Sequence, residues 1–199
     1  MKVGVIGLGY WGPNLVRNFL AHPDVAEVIG CDTRDDRLSF IKARYPSVKL
    51  TKQCDEIIKS DTDIIVIATP VDTHFSFAKK SLEAGKHIWV EKPFTSTVQQ
   101  AQELISIAER KNLKIFVDHT FIYNGAVKKV KELVDNGELG NILYFDSERI
   151  NLGLFQRDVN VVWDLAPHDL SIMKYLLDKN KVKAISANGI ANFNGKENL

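Results

Sequence analysis

Three groups of residues in this chain have the type and spacing to do chemistry. The first is Gly7-Leu8-Gly9-Tyr10-Trp11-Gly12, which fits G-x-G-x-x-G. Glycines cluster in many turns, so the context carries the meaning. The pattern follows an apolar run, Val3 to Ile6, and opens a stretch of helical character, Asn14 to Leu20. Gly7 permits a tight turn, Gly9 lets the backbone approach a pyrophosphate, and Gly12 lets helix and strand pack closely. The helix start adds N–H groups that can face an anion, and Pro13 lies where a missing N–H is harmless. Asp32 follows Gly12 by twenty residues. A carboxylate there can accept the adenosine ribose hydroxyls and repel a 2′-phosphate, which favours NAD over NADP. Arg34 or Arg37 can hold a phosphate and weaken that preference. The alternative for Asp32 is a cap on the next helix.

The second group surrounds two further strand ends. Thr69-Pro70 closes the run Ile64 to Ile67, with His74 in the first turn of the helix that follows. Ligands bind at strand C-termini in sheets of parallel strands, which makes Thr69 and Pro70 cofactor-lining candidates. His74 either joins them or packs locally. Glu91-Lys92-Pro93 follows the run His87 to Val90. An ammonium at Lys92 can stabilise an alkoxide and lower the pKa of a substrate hydroxyl; the alternative is a surface Glu–Lys pair. The third group is Asp164 and His168, four residues apart and so on one face of a helix. A neutral imidazole can take a hydroxyl proton, and Asp164 can orient that ring or bond the substrate. The alternative is capping and packing. His119 and Tyr123 are candidates to border a pocket, and Arg157 to grip a phosphate of the substrate; the alternatives are core packing for Tyr123 and a solvated loop arginine for Arg157.

These groups need a scaffold, and the first 118 residues supply one. Apolar β-branched runs at Val3–Ile6, Val25–Ile29, Ile64–Ile67, His87–Val90 and Ile115–Val117 read as buried parallel strands. Helical patterns lie between them. Val98, Ala101, Leu104, Ile105 and Ala108 share one face, with Ser96 and Gln99 as a capping box, and Gly85 stops the helix that holds Phe75, Ala78 and Leu82. The alternation predicts an α/β fold: a doubly wound parallel sheet over residues 1–120, with right-handed crossovers and helices on both faces. Residues 121–199 read differently. Asn124 caps a helix over Ala126–Val134. Strands are expected over Ile142–Ile150 and Val182–Ile190, and a helix over Leu165–Leu177 with Pro167 in its first turn. That is the start of an α+β domain with a mostly antiparallel sheet.

The chain has 199 residues, with 26 Lys and Arg against 25 Asp and Glu, for a net charge of +1. This balance gives no sign of a nucleic-acid or membrane partner. No apolar run reaches the ~18 residues of a membrane span, and with a first strand expected from Lys2 no signal peptide is expected. The two cysteines, Cys31 and Cys54, make neither a disulfide framework nor a metal cluster. A cytoplasmic protein with reduced thiols and no metal is expected.

The ordered set Gly7-x-Gly9-x-x-Gly12, Asp32, Thr69-Pro70 with His74, Glu91-Lys92-Pro93 and Asp164-x-x-x-His168 resembles the glucose–fructose oxidoreductase / inositol dehydrogenase family (Gfo/Idh/MocA) over essentially the whole chain. Asn136-Gly137-Glu138-Leu139-Gly140 is similar to the family's turn into the second domain's sheet. The resemblance implies a Rossmann domain over residues 1–120, NAD or NADP, and hydride transfer to or from a secondary alcohol of a sugar, nucleotide sugar or cyclitol. It implies catalytic roles for Lys92 and His168, a supporting one for Asp164, and a Lys92–Pro93 bond that is often cis. Cofactor contacts are expected from Gly7, Gly9, Tyr10, Trp11, Gly12, Asp32, Arg34, Thr69, Pro70, His74, Glu91 and Lys92. Substrate contacts are expected from Lys92, Tyr123, Arg157, Asp164 and His168. The resemblance also implies a homo-oligomer through the C-terminal sheet, and a second domain that ends here before its sheet is finished. Two other activities occur among such proteins: regulation by a non-catalytic binder of dinucleotide or sugar, and glycoside hydrolysis with transiently used NAD.

Overall fold

The computed structural model describes residues 1–150, 159–177, 181–192, 195 and 197. The chain divides into two compact units, Met1–Asp118 and His119–Leu199. In the first, strands β1 (Lys2–Ile6), β2 (Glu27–Cys31), β3 (Lys49–Thr51), β4 (Ile64–Ile67), β5 (His87–Val90) and β6 (Ile115–Val117) alternate with helices α1 (Gly12–Ala21), α2 (Asp35–Arg44), α3 (Cys54–Lys59), α4 (Val71–Glu83) and α5 (Val98–Arg110). All neighbouring strands pair in parallel, in the order β3-β2-β1-β4-β5-β6. The order reverses between β1 and β4, which opens the crevice where ligands of such sheets bind.

Side chains alternate across each strand, so the central strands β1, β2, β4 and β5 feed two cores. Val3, Val5, Val28 and Val66 pack on one face with Leu15, Val16 and Ile41 of α1 and α2. Ile6, Ile65, Ile67, Ile88 and Val90 pack on the other with Ile57, Ala78, Leu82 and Leu104 of α3, α4 and α5. A strand buried on both faces reads as an unbroken apolar run, which is why these strands stand out in the sequence. The second strand begins two residues later than its apolar run, at Glu27, because its register is set by β1, with Lys2 opposite Glu27 and Ile6 opposite Cys31. Helix α5 is capped one residue beyond the expected Ser96–Gln99 box. Thr97 accepts from the N–H of Gln100, and the Gln100 amide oxygen accepts from the N–H of Ser96. Gly85, at φ +79°, ends α4.

The second unit holds a 3-10 turn (Thr120–Tyr123) and helices α6 (Gly125–Asp135) and α7 (Val161–Leu176). Asn124 caps α6 by accepting from the N–H of Ala126. Helix α7 starts four residues before the expected Leu165, because Asn160 accepts from the N–H of Trp163 and nucleates the turn there. Pro167 therefore lies inside the helix, where its ring removes one i→i−4 hydrogen bond. The strands expected over Ile142–Ile150 and Val182–Ile190 form no ladder: every strand pairing among the described residues lies in the first unit. Alternating apolar residues become a strand only against a partner and a surface to bury, and Leu143, Tyr144, Ile150, Val182 and Ile185 are all exposed here.

Packing leaves no room for a side chain at Gly4, where an added Cβ would lie 2.2 Å from Cγ2 of Ile57 on α3. Gly4→Ala is expected to lower stability by about 1–3 kcal/mol, read as a fall in the urea midpoint. The Gly4→Ala/Ile57→Ala double variant should lose less than the sum of the single losses, since the second change removes the clashing methyl.

Candidate functional site

The glycine turn is held from two sides. Gly7 has φ +95°, and its N–H donates to the carbonyl of Cys31 at 2.8 Å. A Cβ at Gly7 would lie 2.5 Å from the Ala68 carbonyl oxygen, and one at Gly12 2.1 Å from that of Gly7. The fold itself therefore demands both glycines. Gly9 is different: a Cβ there would meet only the Arg34 guanidinium, at 3.6 Å. Nothing among the described residues requires glycine at position 9, so Gly9 leaves bare backbone beside the Arg34 guanidinium, which fits the close approach of a pyrophosphate. Tyr10 and Trp11 beside it are exposed, with their rings edge to face at 5.6 Å. Trp11 is the N-cap of α1 and provides no side-chain cap.

Asp32 is buried just beyond β2. Its Oδ2 accepts from the N–H of Leu8 inside the glycine turn at 2.8 Å, and its Oδ1 from the N–H of Arg34 at 3.0 Å. The Arg34 Nε lies 3.4 Å from the same Oδ1. Burial pushes this carboxyl's pKa up. The backbone N–H groups of Arg34 and Leu8 and the Arg34 guanidinium outweigh that and hold it below the ordinary carboxylate range. The helix-capping alternative does not hold, because Arg34 is the N-cap of α2. Asp32 instead ties the end of β2 to the glycine turn.

The remaining candidates of this unit gather at the ends of β4, β5 and β6. Thr69 is half-buried and Pro70 exposed. His74 is fully buried on α4, with Nε2 2.8 Å from the carbonyl oxygen of Thr69 and Nδ1 2.9 Å from that of Pro93. It thus bridges the loop after β4 to the loop after β5. Burial lowers its pKa, and the two carbonyls oppose that without reversing it. The Lys92–Pro93 peptide is cis. Lys92 is half-buried and contributes to the electrostatics of Glu91.

Sequence reasoning missed Asp118. The sheet register sets Val90 opposite Val117, and the N–H of Asp118 donates to the carbonyl of Val90 at 2.9 Å, so Glu91 and Asp118 leave neighbouring strands side by side. Both are buried. Burial, then the charge of Asp118 and a hydrogen bond to it, push Glu91 up to about 8. The Glu91 carboxyl therefore keeps its proton at neutral pH. The Glu91 Oε1 is a buried oxygen with no hydrogen-bond partner among the described residues. Only strand order and register could have revealed this pair.

In the second unit, Asp164 and His168 lie half-buried one turn apart on α7. The His168 ring packs edge to face on Phe121 at 4.7 Å. Asp169 turns to Arg149, with Nη2 3.1 Å from Oδ1, and to Ser147 at 2.6 Å. Arg149 lies over Phe121, 4.6 Å from the ring centre. Tyr123 is exposed, with Lys128 5.6 Å from its ring centre. Arg157 lies outside the described residues. Among the described residues no group of His, Cys, Asp and Glu could hold a metal, and no helix is long and apolar enough to cross a membrane.

The family model described as an oxidoreductase family with an NAD-binding Rossmann fold matches residues 1–119. This chain belongs to the Gfo/Idh/MocA oxidoreductase family. It is 33% identical to the uncharacterized oxidoreductase YdgJ of Escherichia coli (strain K12), over 84% of this chain and 51% of that protein. It is 28% identical to UDP-N-acetylglucosamine 3-dehydrogenase of Acidithiobacillus ferrooxidans, over 100% of this chain and 61% of the relative. Its fold matches GenD2 from gentamicin A biosynthesis, solved in complex with NAD, with a TM-score of 0.79 at 22% identity, covering 90% of this chain and 54% of that one. The chain spans about half the length of the curated Gfo/Idh/MocA relatives it matches.

Glu91 supplies a pH signature. Its folded pKa is raised from 4.5 to about 8, so the folded state binds the extra proton between those values. The stability it contributes is full below about 4.5 and is lost as pH rises through about 8. Thermal midpoints measured across this window should fall with rising pH in the wild type. Glu91→Gln, which mimics the protonated acid, should flatten that slope.

Proposed function

We propose that this chain takes part in oxidation or reduction of a secondary alcohol on a sugar, nucleotide sugar or cyclitol, with NAD as the cofactor. The observation that carries this reading is the bare Gly7–Gly12 turn, pinned by Asp32 at the carboxyl end of the central strand. Gly7, Gly9 and Gly12 would take the pyrophosphate, with Tyr10 and Trp11 flanking it. Asp32 would receive the adenosine ribose; its negative charge favours NAD over NADP, although Arg34 beside it leaves a phosphate partner within reach. Thr69, Pro70 and Glu91 would line the nicotinamide end, with the buried His74 holding the Thr69 and Pro93 loops behind them.

When bound, NAD supplies the carbon that accepts or returns hydride. The chain's own side chains manage the proton and the charge. Lys92 donates a hydrogen bond to the substrate oxygen and steadies its developing negative charge. His168 takes the hydroxyl proton in the oxidative direction and returns it in the reductive one. Asp164, one turn earlier on α7, orients the imidazole. Tyr123 and Arg157 extend the substrate contacts, and an arginine suits a nucleotide-sugar phosphate.

The UDP-N-acetylglucosamine dehydrogenase relative supports a nucleotide-sugar substrate. We also assign cofactor binding to residues 1–120, and substrate binding and self-association to residues 121–199. The exposed apolar side chains of 142–150 and 182–190 support a homo-oligomeric contact there. Two free thiols suit a cytoplasmic setting.

NAD+ titration should quench tryptophan fluorescence saturably, since Trp11 lies in the turn, and Gly9→Val should abolish it. Saturable quenching that survives Gly9→Val overturns the cofactor assignment. With a panel of UDP-sugars and cyclitols, appearance of reduced nicotinamide should fall ~10²–10⁴-fold in Lys92→Ala and in His168→Ala, with NAD+ binding retained. Undiminished turnover in both variants would remove them from the chemistry. Glycoside release without accumulation of reduced nicotinamide would point to hydrolysis instead.

A further inference from the structure

The chain has two cysteines, and the fold brings them together across 22 intervening residues. Cys31 is the last residue of β2, fully buried in the core beside Ile57 and Ile58. Cys54 is the first residue of α3, half-buried and packed against the same core. Their Sγ atoms lie 2.9 Å apart. A disulfide spans about 2.05 Å, so closing the pair asks for a movement of about 0.9 Å from the observed 2.9 Å. The sequence spacing gave no hint of it, since a gap of this length fits neither a C-x-x-C redox motif nor a metal-ligand pattern.

We propose that Cys31 and Cys54 form a reversible intramolecular disulfide, a redox modification site that ties the end of β2 to α3. The site adjoins the glycine turn. The Cys31 carbonyl accepts from the N–H of Gly7 at 2.8 Å, and the next residue, Asp32, holds Leu8. Oxidation therefore braces the corner on which that turn hangs.

The partial exposure of Cys54 and the full burial of Cys31 set the order of events. The Sγ–Sγ contact with Cys31 lowers the pKa of Cys54. The same contact, then burial and the charge of Asp32, raise that of Cys31. Cys54 is thus the nucleophile and Cys31 the resolving thiol. The oxidant is a low-molecular-weight disulfide, such as oxidised glutathione. The Cys54 thiolate attacks one of its sulfurs, its S–S bond breaks, and a thiolate leaves. Cys31 then attacks the Cys54 sulfur of the mixed disulfide, and a second thiolate leaves with the Cys31 proton. Two cysteine thiols are oxidised to one disulfide, and one external disulfide is reduced to two thiols.

The test uses the whole chain under native conditions. Protein is incubated with oxidised glutathione, alkylated with N-ethylmaleimide after denaturation, and weighed intact. The expected result is loss of both alkylatable thiols, a mass lower by two hydrogens with no glutathione adduct, and a Cys31–Cys54 cross-linked peptide. The thermal midpoint should rise by about 5 °C, and dithiothreitol should reverse both changes. In Cys31→Ser the reaction should stop at glutathione on Cys54. In Cys54→Ser, Cys31 should stay unmodified until the protein is unfolded. A stable glutathione adduct on wild-type Cys54 with Cys31 still free overturns the proposal, as do disulfide-linked dimers or two thiols that resist oxidation. The wild-type mass decides the matter even if a serine variant fails to fold. None of these readouts requires dinucleotide binding, so failure of the cofactor assignment would leave the test intact.

Discussion

Helix α1 starts directly against the carbonyl of Gly7, and it can do so only because residue 12 has no side chain: a Cβ there would sit 2.1 Å from that oxygen. Much of the first unit's arrangement follows from this one approach. It brings Leu15 and Val16 onto the face that carries Val3 and Val5. It also turns the chain so sharply that the N–H of Leu8 points back into the fold, where Asp32 receives it. A buried carboxylate with too few hydrogen bonds would be costly. Here the N–H groups of Leu8 and Arg34 compensate it, so the same residue that strains solvation also fastens the end of β2 to the glycine turn.

Polar burial recurs at the other strand ends and follows a common logic. His74 reaches two carbonyl oxygens from two loops, so one ring holds both loops in register. Glu91 and Asp118 are forced together by neighbouring parallel strands, and Glu91 holds its proton because burial, and then the adjacent Asp118, disfavour its charge. Each of these groups is stabilised by a contact made across strands and not along the chain. The carboxyl edge of the sheet is therefore a set of mutually dependent polar contacts laid over an apolar interior.

The second unit shows the opposite case. Asn124 and Asn160 cap their helices through contacts within three residues, and both helices form. The segments 142–150 and 182–190 have strand-like alternation, yet Leu143 and Ile185 stand exposed and no ladder forms. Helical hydrogen bonds are local, whereas a strand depends on a partner and on a face to cover it.

Most of the first unit could be read along the chain. The buried strands declare themselves as apolar runs, Gly7, Gly9 and Gly12 mark the turn between strand and helix, and Gly85 marks a helix end. The ordered motifs from Gly7 to His168 carry the family. These signals are legible because each depends on a residue's own backbone freedom or on periodicity within one element. The sequence could not show that Asp32 serves the Leu8 amide, that His74 spans Thr69 and Pro93, that Asp118 stands beside Glu91, or that Cys31 touches Cys54. Those pairings are set by strand order and register, and chain separation says nothing about which strands become neighbours.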